Sequence, residues 1–309
     1  MSEKKVQVLT VKQAKAQMNR FGLPLILYIL VFLFLHYGTN IIEDYFPELF
    51  MGYDPVIVMM IIAAILLILI TFIGFSLGAK KLNLKMQDYT QSAKCSVGRI
   101  FVYSCTGIGI YLITTSISSL FYFFFHTEHT LYPFLGQFTN VELIIQNIGY
   151  LLLMVVLKPI CDEYVFRGII LRHLGHYARY FGIIASSALY AISQGSLVEA
   201  VPAFFVGWFL SIITVRYHSI KPTIFIHLFV SLFVWAINIL PQQLLWVVII
   251  LIIGIYIVCA LSIFQKKIPY QISTANVFNA QYWKILCTSS TIIICILLFI
   301  VNIVLSFQF

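Results

Sequence analysis

Long apolar runs separated by short charged links constrain this chain more than any other feature. Runs of about 18 or more apolar residues read as transmembrane helices. The sequence carries such runs near 21–37, 56–78, 100–125, 142–160, 180–198, 200–215, 222–239, 244–264 and 285–305. Hydrophobic residues make up 61% of the chain and mean hydropathy is +0.98, whereas a soluble domain sits nearer half apolar with about a quarter charged. The expected fold class is therefore all-α, a polytopic integral membrane bundle of about nine spans. Residues 1–20 read as a polar cytoplasmic segment, with room for an amphipathic surface helix, and 21–309 as a single transmembrane domain. The first run follows a polar lead and lacks a small-residue cleavage site, so it reads as an anchor rather than a removable signal peptide.

Charge gives the expected orientation. With nine spans, all nineteen Lys and Arg residues fall on one side, Lys158, Arg167, Arg172 and Arg179 among them in the link between spans 4 and 5. The other side holds Glu43, Asp44, Glu48, Asp54, Glu128, Glu142 and Glu199 with no base. Basic loops stay cytoplasmic, which places the amino terminus inside and the carboxyl terminus outside. The net charge of +8 is thus a topology signal, with anionic membrane lipid as the partner it favours. A nucleic-acid partner is not expected, because no compact basic domain exists to hold one. No spacing of the six cysteines suggests zinc, and no cofactor is expected. The setting that fits is an integral membrane protein of a bacterial plasma membrane.

Polar residues concentrate between about 158 and 231, and the runs on either side read as scaffold. The stretch "KPICDEYVFRGIILRHL" sets Asp162, Glu163 and Arg167 against apolar sequence. Ionisable groups inside a bilayer are costly and so point to function. On a helix, Glu163 and Arg167 share a face at i,i+4, while Asp162 points about 100° away. The same charges equally suit an interfacial helix end, and spacing alone leaves both readings open. "SALYAISQGS" then puts Tyr190 and Gln194 one turn apart, and "IFIHLFVSLFVW" does the same for His227 and Ser231. Taken singly, each of these polar groups reads first as an interhelical hydrogen-bonding residue.

In order, D-E-x-x-x-R, aromatic-x-x-x-polar and H-x-x-x-polar resemble the CAAX-protease and bacteriocin-processing family of intramembrane endopeptidases. That family's pattern is E-E-x-x-x-R, F-x-x-x-H and H-x-x-x-N. The intervals of 31 residues from Glu163 to Gln194 and 33 from there to His227 are similar, as are "FRG" at 166–168, Gly207 and "KPTIFIH". The family-like core covers 150–235. The resemblance implies that Asp162 is the base that activates a water and Gln194 its partner. It further implies that His227 and Ser231 line the oxyanion site, with Glu163 and Arg167 in support and no metal clearly needed.

Three of these positions depart from the pattern. Asp162 is one methylene short, and a misplacement of about 1 Å can cost roughly 10²-fold. Gln194 cannot take a proton, and losing a general acid–base partner removes about 10²–10⁴-fold. Ser231 offers its donor on a shorter arm, at a cost of about 10²–10³-fold. The expected function is a catalytically impaired or inactive homologue that acts as a membrane adaptor or regulator by binding a membrane or secreted peptide or protein. The alternative is an active endopeptidase that cleaves a membrane-associated peptide. A transporter ranks below both, for want of an internal repeat.

Straight spans would leave Gln194 and His227 at different depths, so either span 5 starts later or "SQGSLVEAVP" folds back. His126 and His129 flank Glu128 in a loop read as solvated. His173 and His176 are expected on a lipid-facing basic surface.

Overall fold

The computed structural model describes residues 11–34, 54–81, 95–125, 136–194, 196–239, 244–264 and 280–306. The paired histidines of the second outer loop and most of the main cytoplasmic loop lie outside them.

Ten helices form among the described residues: α1 (Val11–Leu33), α2 (Pro55–Lys80), α3 (Val97–Phe125), α4 (Val141–Gly175), α5 (Arg179–Ile192), α6 (Leu197–Tyr217), α7 (Lys221–Ile239), α8 (Leu245–Phe264), α9 (Ala280–Cys287) and α10 (Ser290–Ser306). Their ends follow from local chemistry. Asp54 caps α2, accepting from Ile57 N at 2.8 Å, with Pro55 in the first turn where its missing N–H costs nothing. Asn140 caps α4 through Leu143 N, and Ser196 caps α6 through Glu199 N. At the far end of α6, His218 turns left-handed (φ 52°) and its carbonyl accepts from Arg172 Nη2 at 3.3 Å, pinning the corner into α7.

Six of these helices are long and apolar enough to cross a membrane, or seven if α9 and α10, bent by 67°, count as one span. Two of the nine runs fall outside that count: 180–198, and 244–264, which forms α8 but whose apolar helix Trp246–Ser262 is too short to qualify. The 180–198 run shrinks to α5, whose 14 residues reach only about 21 Å, short of a bilayer core of about 30 Å. The 142–160 run, conversely, does not stop at its first charge. α4 continues through Lys158, Asp162, Glu163 and Arg167 to Gly175, a helix of 35 residues. These charges lie within a helix, not in a link, so Lys158 and Arg167 drop out of the loop count behind the expected orientation. α4 is wound wider, with i→i+5 bonding, over Leu151–Leu157 and Glu163–Ile170. Such segments often accompany functional positions.

The helices pack as two groups that meet at α4 and α5. In one, α1 lies against α2 and α10, and α2 against α4. Its core runs through Phe21, Leu25, Phe75, Phe166 and Phe181. α1 approaches α10 closely: a Cβ on Gly22 would fall 1.8 Å from Thr291 Oγ1, the small-residue contact that lets membrane helices touch. In the other group α3 supports α6, α7 and α8 around Tyr103, Phe209, Leu210 and Ile226. Residues 11–20 are the opening turns of α1, and Ala14 and Met18 sit in the core.

The outer faces are oily. Ile61, Ile65 and Ile68 on α2, Trp246, Ile249, Ile250 and Ile253 on α8, and Leu297, Ile300, Val301 and Val304 on α10 are all exposed. Apolar surface that continuous does not suit water. Its solvent is lipid, and the chain is an integral membrane helix bundle.

Candidate functional site

α4 supplies the charges: Asp162, just before its second wide-wound segment, and Glu163 and Arg167 within it lie wholly inside the protein, each at 0% exposure. Glu163 faces two partners. Arg167 Nη1 lies 3.1 Å from Glu163 Oε1, and His227 Nδ1 reaches the same oxygen at 2.9 Å. The other edge of the imidazole, Nε2, lies 3.2 Å from Tyr190 Oη. The Arg167 guanidinium carbon lies over the Tyr190 ring, 4.4 Å from its centroid, within cation–π range. Glu163, Arg167, Tyr190 and His227 thus form one cluster drawn from α4, α5 and α7. Gly207 on α6 closes it: a Cβ there would meet Tyr190 Cδ1 at 2.9 Å and Arg167 Nη2 at 3.0 Å.

Asp162 points the other way, as its 100° offset requires. Its Oδ1 accepts a hydrogen bond from Tyr28 Oη of α1. Its Oδ2 accepts from Lys158 Nζ at 3.0 Å. The same ammonium donates to Gln194 Oε1 at 2.7 Å, and it lies 5.2 Å from the Phe32 ring centroid and 5.8 Å from that of Tyr190. The Gln194 amide nitrogen donates back to Tyr190 O at 3.1 Å and to Ser193 Oγ at 3.3 Å. Lys158 therefore stands between Asp162 and Gln194.

The structure links the second and third motifs through Tyr190. α5 ends at Ile192, and Gln194 sits just past it in non-helical chain ahead of α6. Non-helical backbone at membrane depth is tolerated where protein buries it, and Ser193 and Ser196 are buried here. Tyr190, one turn before Gln194, touches His227 directly.

Of the six residues singled out in the sequence, five join this network. Ser231, one turn beyond His227, is half-buried and makes no hydrogen bond among the described residues. Two participants were missed. Lys158 had been taken as a loop charge. Tyr28 carried only a weak signal, a phenol in an apolar run that needs a polar partner once buried. His173 is also placed differently from expectation: it is 5% exposed, packed between Phe21 and Tyr177 at 5.6 Å from each. α1 and the turn after α4 cover it, so it does not face lipid. His176 is exposed.

Residues 144–233 match the family model described as Rce1-like, type II CAAX prenyl endopeptidase Rce1-like. That segment, under a third of the chain, is similar to the CAAX-protease family. It holds Lys158, Asp162, Glu163, Arg167, Tyr190, Gln194, His227 and Ser231, while Tyr28 comes from outside it. No curated protein and no solved structure matches the chain.

Among the described residues no group of three or more His, Cys, Asp or Glu side chains is arranged to hold a metal ion. The carboxylates and the imidazole instead engage one another and the two cations. Such an arrangement can hold α4, α5 and α7 together and present a polar surface inside the bilayer.

Proposed function

We propose that this CAAX-protease-like membrane protein is catalytically impaired and works by binding a membrane or secreted peptide or protein. One observation carries the reading: Lys158 Nζ lies 3.0 Å from Asp162 Oδ2 and 2.7 Å from Gln194 Oε1. By the family's pattern, the carboxylate at 162 and its partner at 194 flank the water to be activated. Here an ammonium takes that place. Each oxygen of Asp162 already accepts one strong donor, Tyr28 on Oδ1 and Lys158 on Oδ2, so a water would compete with both for the lone pairs that remain. Gln194 then offers no atom that can take a proton, which removes about 10²–10⁴-fold. Factors within one site do not multiply simply, yet each of these acts on the same step.

The part of the motif that holds helices together is retained in Glu163, Arg167 and His227. A bundle with its polar centre assembled and its base occupied suits an adaptor or regulator in a bacterial plasma membrane. The test is photo-crosslinking of the full chain in its native membrane, with wild type beside Gln194→Ala. Capture of the same partner by both supports the binding reading. Loss of a processed product in Gln194→Ala, with no partner captured by either, would contradict it.

A further inference from the structure

The end of the bundle where α6 turns into α7 holds basic residues that the buried site does not use. Arg99 lies in the first turn of α3, Arg216 in the last turn of α6 and Lys221 at the start of α7, and all three are exposed. Packing brings them to one level. A Cβ on Gly107 of α3 would fall 3.1 Å from Val230 Cγ2 and 3.6 Å from Ile226 Cγ2 of α7. One turn nearer the start of α3, Tyr103 Oη lies 3.3 Å from Tyr217 Oη, just ahead of α7. The two helices therefore run in the same direction and begin at the same end.

The two phenols fix where the arginines stand. Tyr103 is buried and its ring centroid lies 6.3 Å from that of Tyr217, which anchors the pair. Arg216 Cζ lies 5.9 Å from the Tyr217 ring centroid, within cation–π range. Arg99, one turn before Tyr103 on the same face of α3, hydrogen-bonds the Tyr217 phenol. Both guanidiniums thus meet at one side chain. Behind them Arg172 Nη2 donates to His218 O at 3.3 Å, so the corner that carries the cations is itself held.

Charge and surroundings choose the ligand. No Asp or Glu occurs in α3 or α7, nor in α6 beyond Glu199 in its first turn. Arg99, Arg216 and Lys221 form no ion pair among the described residues. Neighbouring guanidiniums suit phosphate oxygens, which accept their paired N–H donors. A soluble phosphate would need only the charges. Here Val97 and Phe101 flank Arg99, and Phe225 lies one turn beyond Lys221, all exposed on lipid-facing helices. A phosphate that carries acyl chains satisfies both the cations and this apolar surface.

We propose that Arg99, Arg216 and Lys221 form a binding site for the phosphate headgroup of an anionic phospholipid, whose acyl chains lie along α3 and α7. Tyr217 makes this a defined site rather than a basic face that attracts lipid in general. It holds whether or not the buried site turns over.

Native mass spectrometry of the full chain in detergent tests it. The probes are phosphatidylglycerol and phosphatidylcholine with matched acyl chains, and inorganic phosphate is the competitor. The first bound phosphatidylglycerol should be held about ten-fold more tightly than phosphatidylcholine. A triple variant, Arg99→Gln with Arg216→Gln and Lys221→Gln, should lose that preference. It should keep its phosphatidylcholine binding, which shows the bundle intact. Tyr217→Phe, which removes the shared hydroxyl, should weaken the preference about three-fold. A second triple variant removes the same charge elsewhere, through Lys12→Gln, Lys80→Gln and Arg179→Gln, all exposed, and should leave the preference intact. Equal binding of the two lipids by wild type would overturn the proposal, as would equal losses in the two triple variants. Full displacement of phosphatidylglycerol by inorganic phosphate would also overturn it, by showing a site for phosphate alone.

Discussion

His227 Nδ1 lies 2.9 Å from Glu163 Oε1, joining α7 to α4 across 64 residues of chain. The same oxygen faces Arg167 at 3.1 Å, so one carboxylate ties an imidazole and a guanidinium into the interior. Breaking a buried pair by removing one partner costs more than the pair is worth, because it strands the other charge.

Glu163→Ala should therefore destabilise the bundle by about 3–5 kcal/mol, the cost of an unpaired buried charge. Thermal unfolding in detergent, followed by loss of monodisperse protein, measures it. A melting temperature equal to that of wild type would show that the cluster does not hold the helices together.

Gly207→Ala should destabilise by about 1–3 kcal/mol through overpacking. The added methyl would meet Tyr190 at 2.9 Å and Arg167 at 3.0 Å, and both are fixed by other contacts. Gly98→Ala is the matched comparison, since a Cβ there meets nothing within 4 Å. Equal melting temperatures for the two variants would show that α6 does not press on the cluster.

Lys158→Met combined with Gln194→His should gain turnover. The first change frees Asp162 and the second restores a side chain that can carry a proton. A rise of about 10²–10⁴-fold over wild type is expected from the acid–base term, read as cleavage of a membrane-spanning reporter peptide. Gln194→His alone should gain less, because the ammonium stays in place. A larger gain from the single variant than from the double would show that Lys158 does not obstruct the site.

What the sequence made legible was the class of fold and the motif. Apolar runs announce helices in lipid, and Asp162, Glu163, Arg167, Gln194 and His227 stood out because ionisable and amide groups are rare in such runs. Lys158 did not. A hydropathy reading ends a span at its first charge, but a charge with internal partners need not end a helix, and α4 runs on for 17 residues past Lys158. The shortness of α5 was hidden for the opposite reason. The run over 180–198 is apolar enough to read as a span, and only the turn at Ser193–Gln194 shows that the helix stops close to His227. Tyr28 and His173 depend on α1 packing against α4, a contact between segments too far apart in sequence for any local pattern to signal.

The central claim is that the site binds without turning over. The most direct measurement is cleavage of membrane-spanning peptides by the purified wild-type chain in proteoliposomes, beside Asp162→Ala, with fragments identified by mass spectrometry. The account predicts no fragment that depends on Asp162. Fragments formed by wild type and absent with Asp162→Ala would contradict it.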